Sequence, residues 1–224
     1  MSLLEVDGLT VGLRGSEASI LRDVSFSVEP GRIVGLVGES GSGKTVASLA
    51  IMGLLPKALE LRDGSIGVGG RELVDRQTGT VERTSDEMAM IFQEPGWERN
   101  PNMKVGRQIA RVLRINQGMD RNVARDEAVG MLSRVGIPGA ARVAQAYPHQ
   151  LSGGMCQRVM IAMALACKPR ILIADEPTTA LDVTIQAQIF DLILDLVAET
   201  GSGVVFITHD LAAVSEMCDD VVVL

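Results

Sequence analysis

Gly38-Glu39-Ser40-Gly41-Ser42-Gly43-Lys44-Thr45 decides how this chain is read. The order fits G-x-x-x-x-G-K-[ST], the pattern of a phosphate-binding loop. Glycines let the backbone wrap a phosphate chain with several N–H groups turned inward. Lys44 adds a mobile cation for the outer phosphates, and the Thr45 hydroxyl is a ligand for Mg²⁺. The flanks agree. Arg32 to Val37 is a short apolar run, expected as a buried strand, and Val46 to Met52 has helical character. A strand–loop–helix setting adds the helix dipole to the anion site.

Upstream of the loop, Leu4, Val6, Leu9, Val11 and Leu13 alternate like a half-buried strand. Ile20, Leu21, Val24, Phe26 and Val28 form its expected antiparallel partner, across a polar Gly15-Ser16-Glu17 tip. Pro30-Gly31 turns the chain into the strand before the loop. Downstream, Gly53-Leu54-Leu55-Pro56 ends the first helix, and Asp63 to Gly70 reads as a short strand and turn. Residues 75–87 are polar and charged, as expected of a surface excursion. Met88 to Phe92 is a second buried strand, stopping at Gln93-Glu94-Pro95.

The character then changes. Val105 to Asn116 and Val123 to Val135 read as helices, broken at Gly118 and at Gly136-Ile137-Pro138-Gly139. Ser152 is the expected N-cap of another helix, which runs to about Cys167 and ends at Lys168-Pro169. Residues from about 96 to 165 thus form a helical insertion in a single domain spanning 1–224. Arg170 to Ala174 is a third buried strand, ending in Asp175-Glu176. Ile185 to Glu199 is an amphipathic helix, and Gly203 to Thr208 is a fourth strand, ending in His209-Asp210. Val221 to Leu224 closes the chain as a further buried strand with a raw edge. Strands alternating with helices imply an α/β fold with a mostly parallel sheet behind an N-terminal antiparallel part. Ligands of such sheets lie at the carboxyl ends of the strands, where Gln93, Asp175, Glu176 and His209 fall.

Composition narrows the classes. A net charge of −7 with 3% aromatic residues leaves neither a basic surface nor stacking platforms for nucleic acid. The cysteines, Cys156, Cys167 and Cys218, are odd in number and form no C-x-x-C pair, as reduced thiols would. The start lacks the pattern of a signal peptide, and the longest apolar run, Val159 to Cys167, is far short of a membrane span. The chain is therefore expected not to cross a membrane by itself, though it can dock on something that does. No N-K-x-D guanine motif is present.

Asp175 follows four apolar residues, the setting of a Walker B carboxylate that holds the Mg²⁺ bridging the phosphates. Glu176 beside it can orient and partly deprotonate an attacking water. Leu151-Ser152-Gly153-Gly154-Met155-Cys156-Gln157-Arg158 resembles the signature motif of ABC transporter ATPase subunits. The order of motifs is that family's: Gly38–Thr45, Gln93, Ser152–Gln157, Ile171–Glu176, Ala180-Leu181-Asp182 and His209. The wording Tyr147 to Met155 and Asp175 to Thr184 resembles the di- and oligopeptide importers, with nickel importers close behind.

The resemblance implies a P-loop NTPase that binds ATP with Mg²⁺ and hydrolyses it in a head-to-tail dimer, homomeric or heteromeric. Each site would join the P-loop (Gly38, Glu39, Ser40, Gly41, Ser42, Gly43, Lys44, Thr45), Gln93, Asp175, Glu176 and His209 of one subunit to Ser152, Gly153 and Gly154 of the other. Gln93 would ligate the metal or the water and relay nucleotide state to the membrane partner, His209 would donate to the γ-phosphate, and Asp182 would support the dimer contact. Two permease subunits and a solute-binding protein would complete an importer, with this chain at the cytoplasmic face of the membrane. Other readings are a nickel or other small-solute importer, a soluble ABC-type ATPase, or a degenerate subunit without turnover. Three departures stand out. Leu13 occupies the place of an adenine-stacking aromatic, Gly96-Trp97-Glu98-Arg99-Asn100-Pro101 departs from the usual Met-Thr-Ser-Leu-Asn-Pro, and the family pattern continues beyond the point where this chain stops, Leu224.

Overall fold

The computed structural model describes residues 2–75, 79–82, 87–93, 100–179 and 181–224. Gly96 to Arg99, part of the 75–87 excursion and Ala180 lie outside the described residues. Contacts divide the chain into two compact units, one of residues 1–90, 170–175 and 200–224, the other of residues 91–169 and 176–199.

In the first unit, β1 (Leu4–Leu13) and β2 (Ser19–Val28) pair antiparallel, with Leu4 opposite Val28 and Val6 opposite Phe26. Val6, Leu9 and Val11 are buried along β1, as the alternation requires. β3 (Ile33–Val37) is buried at every residue and leads through the glycine-rich loop into α1 (Lys44–Ile51). β4 (Leu59–Val68) is longer than the sequence suggests. It begins at Leu59 and pairs antiparallel with β1, Leu59 opposite Leu13. The short strands β5 (Arg71–Glu72), β6 (Val74–Asp75) and β7 (Thr80–Val81) follow, β5 on β4 and β6 with β7. β8 (Met88–Ile91) then joins the second sheet.

The second unit carries α2 (Val105–Gln117), α3 (Arg121–Arg134), α4 (Ala140–Val143), a 3₁₀ turn at Pro148–Gln150 and α5 (Gly153–Ala166). α4 is a single turn with no sequence periodicity of its own. Beyond β9 (Ile171–Asp175), α6 spans Val183–Thr200 and buries Ile189, Phe190, Ile193 and Leu196.

The first unit resumes with β10 (Gly203–Ile207), α7 (Leu211–Met217) and β11 (Asp220–Val223). α7 was not anticipated from sequence. Its seven residues are too few for a period to stand out, but Asp210 caps it, accepting from the N–H groups of Ala212 and Ala213. The second sheet has the order β11-β3-β10-β9-β8, with β11 parallel to β3, β3 to β10 and β10 to β9. β3, β9 and β10 are buried throughout, as parallel strands covered on both faces must be. β11 corrects an expectation. It lies at the sheet edge, and Val221 and Val223 are 50% and 76% exposed rather than buried.

Candidate functional site

Register sets the first group of site residues. Asp175 lies opposite Ile207 on β10, and Ile207 lies opposite Leu36 on β3. The carboxyl ends of the three strands are therefore level. From this one edge emerge the Gly38–Thr45 loop, the Asp175 carboxylate and, after Thr208, His209. Asp175 is 1% exposed at the end of β9, which is costly for a carboxylate unless a cation or donors compensate. His209 is exposed, between a Thr208 hydroxyl that accepts from the Asp210 N–H at 3.0 Å and the Asp210 cap of α7.

The loop is built tightly. Lys44 is 7% exposed, and its ammonium donates to the carbonyls of Gly38 and Glu39, both at 2.8 Å. That leaves one of its three protons for another acceptor. Gly43, at the N-cap of α1, has φ 101°, and no side chain caps the helix. The first backbone donors of α1 are thus left to a ligand or water. A Cβ at Gly43 would meet Leu21 Cδ2 at 2.5 Å, and one at Gly38 would meet Ser42 Oγ at 2.6 Å. Ser42 Oγ is buried and has no hydrogen-bond partner among the described residues. An orphaned hydroxyl, uncapped helix donors and a fixed lysine form a cradle that suits a phosphate chain. Thr45 is exposed at the start of α1, and Glu39, Ser40 and Gly41 form the outer rim. Leu13 ends β1 with 41% of its side chain exposed.

The second group lies in the other unit. Gln93 Nε2 donates to Glu176 Oε2 at 3.0 Å, and the Thr179 hydroxyl lies 3.1 Å from the same oxygen. Glu176 has φ 46°, a left-handed conformation that costs a residue with a side chain about 1 kcal/mol or more. Such a conformation persists only where its surroundings enforce it. Here the Thr179 N–H and hydroxyl both reach the Glu176 carbonyl, at 3.4 and 3.2 Å. Gln157 Nε2 donates to the next carbonyl, that of Pro177, at 2.9 Å. Sequence reasoning placed Gln157 and Thr179 within motifs but gave neither a role of its own. The available signals were a hydroxyl three residues past the strand-end carboxylate and an amide in an apolar helix.

Ser152 caps α5 as anticipated, its hydroxyl accepting from the Met155 N–H at 3.4 Å. Ser152 and Gly153 are exposed and Gly154 is half-buried. Among the described residues, a Cβ added to Gly153 would meet nothing within 4 Å. Asp182 accepts from the Ile185 N–H at 3.1 Å, near the start of α6. The rings of Tyr147 and His149 stack with centroids 5.7 Å apart, just ahead of α5. Among the described residues, no helix is long and apolar enough to cross a membrane.

Comparison with known proteins agrees with this architecture. The chain matches the ABC transporter family over residues 21–179. It is 48% identical to the dipeptide transport ATP-binding protein DppD of Escherichia coli (strain K12), over 100% of this chain and 69% of that protein. It is 44% identical to the oligopeptide transport ATP-binding protein OppD of Haemophilus influenzae (strain ATCC 51907 / DSM 11121 / KW20 / Rd), over 99% of this chain and 69% of the other. Among solved structures, it superposes on the ATP-binding cassette MJ0796 in a dimeric post-hydrolysis state bound to ADP and Pi. The TM-score is 0.83 at 27% identity, covering 99% of this chain and 94% of that one. The family match takes in the phosphate cradle, the capped start of α5 and the Asp175-Glu176 strand end, and the relatives extend the likeness along the full chain: the protein belongs to the ABC transporter family.

Proposed function

We propose that this chain is the ATP-hydrolysing subunit of a peptide importer, working as one half of a dimer. The observation that carries the reading is a pair of helix starts built for anions in opposite ways. α1 begins without a side-chain cap behind a tight glycine loop, and α5 begins behind an exposed glycine with open space above it.

The roles follow from the chemistry of each residue. Gly38 to Thr45 hold the triphosphate of ATP, with Lys44 turning its remaining proton to the outer phosphates. Thr45, Asp175 and Gln93 offer the oxygen ligands that Mg²⁺ prefers. Held by these residues, Mg²⁺ would supply positive charge to offset the charge developing on the terminal phosphoryl group. Glu176 orients the attacking water and accepts its proton, while His209 donates to the γ-phosphate. Gln93 donates to Glu176 through Nε2, and its Oε1 is the atom that would serve as the ligand. Leu13 offers adenine an aliphatic face, without the roughly 1 kcal/mol of an aromatic stack.

Ser152, Gly153 and Gly154 take the γ-phosphate of ATP held by a second subunit. Among the described residues nothing demands a glycine at 153, whereas close approach by another chain would. The helical stretch of about residues 96–165 presents this signature within a single ATPase domain. Two permease subunits and a solute-binding protein complete the importer, and the chain sits peripherally on the cytoplasmic face of the membrane. Relatives that import dipeptides and oligopeptides favour peptides as the cargo.

The test is phosphate release by the purified chain with ATP and Mg²⁺. Glu176→Gln should retain ATP binding and lose turnover by about 10²- to 10³-fold. Hydrolysis near the wild-type rate would remove Glu176 from its role.

A further inference from the structure

We propose that Gln157 is a positioning residue for Glu176, tying the turn that carries this carboxylate to the signature helix. The inference rests on the ATPase reading above. Gln157 lies in α5, five residues after the Ser152 cap, and is 1% exposed. Its Nε2 donates to the Pro177 carbonyl at 2.9 Å. Its Oε1 is buried without a partner among the described residues. Turning the amide over would set its oxygen against the Pro177 carbonyl oxygen, so the donor orientation is the only one chemistry allows.

A buried amide that leaves its own oxygen unsatisfied pays a cost, and what it secures is a strained neighbour. Pro177 is buried and follows Glu176 directly, and Glu176 is held at φ 46°. Local bonds from Thr179 close the turn from its C-terminal side. Gln93 reaches the Glu176 side chain from the end of β8, whereas Gln157 holds the backbone of the turn, from α5. The direction in which Glu176 points is therefore linked to the position of α5.

The link has a functional consequence. Ser152 to Gly154 face the nucleotide of the partner subunit, while Glu176 acts on the nucleotide of its own. A shift of α5 when its start receives a phosphate passes through Gln157 to Glu176. The two ATP sites of the dimer are thereby coupled, through one buried hydrogen bond in each subunit.

The test is Gln157→Met, which keeps length and approximate volume and removes the donor. The expected result is a fall in kcat of about tenfold, the scale of a lost buried hydrogen bond. The KM for ATP stays within about twofold, and the Hill coefficient for ATP falls toward one. Without nucleotide, amide exchange at Thr179, whose N–H donates to Glu176, speeds up by about tenfold. Wild-type turnover with unchanged exchange overturns the proposal. An equal loss of ATP affinity and melting temperature overturns it too, since that marks a purely structural residue. Should the Met variant fail to fold, Gln157→Glu, which keeps the amide's shape, goes through the same assays. If the wild-type chain itself hydrolyses no ATP, the ATPase reading fails, and the exchange measurement still decides whether Gln157 holds the turn.

Discussion

The starts of α1 and α5 are the two most glycine-rich helix entrances of the site, and they are made differently. At α1 the glycines answer to their own protomer. Gly43 adopts φ 101°, and a Cβ there would strike Leu21, while a Cβ at Gly38 would strike Ser42. At α5 the cap is an ordinary serine hydroxyl, and Gly153 has an ordinary backbone with nothing above it. The first entrance is a finished cradle. The second has a cap and, among the described residues, open space at Gly153. Glycine in the first is explained by folding, and in the second, on the function proposed above, by the approach of another chain.

Substitutions should separate the two. Gly43→Ala puts a side chain into a left-handed conformation against Leu21, and should cost about 2 kcal/mol of stability. Thermal unfolding should show a clear drop in Tm, together with a loss of ATP affinity. Gly153→Asp should behave in the opposite way. Its side chain has room, so Tm should stay within about 0.5 kcal/mol equivalent of wild type. Monomer ATP affinity, read by titration calorimetry, should also hold. Steady-state turnover should nevertheless fall by about a hundredfold, because a carboxylate would meet the phosphate presented by the partner.

A smaller effect concerns the sheet edge beside the cradle. Burial, and then the charge of Asp219, push the Cys218 thiol from its ordinary 9.0 up to about 11. The folded chain therefore keeps this proton at pH values where the unfolded chain has lost it. The stability that follows is complete below pH 9.0 and is lost as pH rises toward about 11. Cys218→Ala should show a shallower fall of Tm over that window than wild type, by a degree or two at most. Burial raises the Cys167 thiol of the second unit as well, so Cys218→Ala should remove only part of the alkaline sensitivity.

Much of the site was legible because it is written in local patterns. The phosphate loop needs no distant partner to be recognised, and Asp175 and His209 follow runs of buried strand residues. What escaped depends on contacts far along the chain or on very short elements. Leu59 to Arg62 became strand because Leu59 to Leu61 meet Leu13 to Val11, a pairing that alternation alone does not announce. α7 was too brief to display a period, and β11 read as buried because four aliphatic residues look the same at an edge as at a centre. Thr179 and Gln157 serve through hydrogen bonds to Glu176 and to the carbonyl after it, which no spacing rule encodes.

The most direct test of the account is nucleotide-driven dimerisation, followed by analytical ultracentrifugation in a Glu176→Gln background that prevents turnover. With ATP this variant should sediment as a dimer, and without nucleotide as a monomer. Adding Gly153→Asp should keep it monomeric with ATP bound at unchanged affinity. If the double variant still dimerises, or if Gly153→Asp weakens ATP binding to the monomer, then α5 does not complete the site of a second subunit.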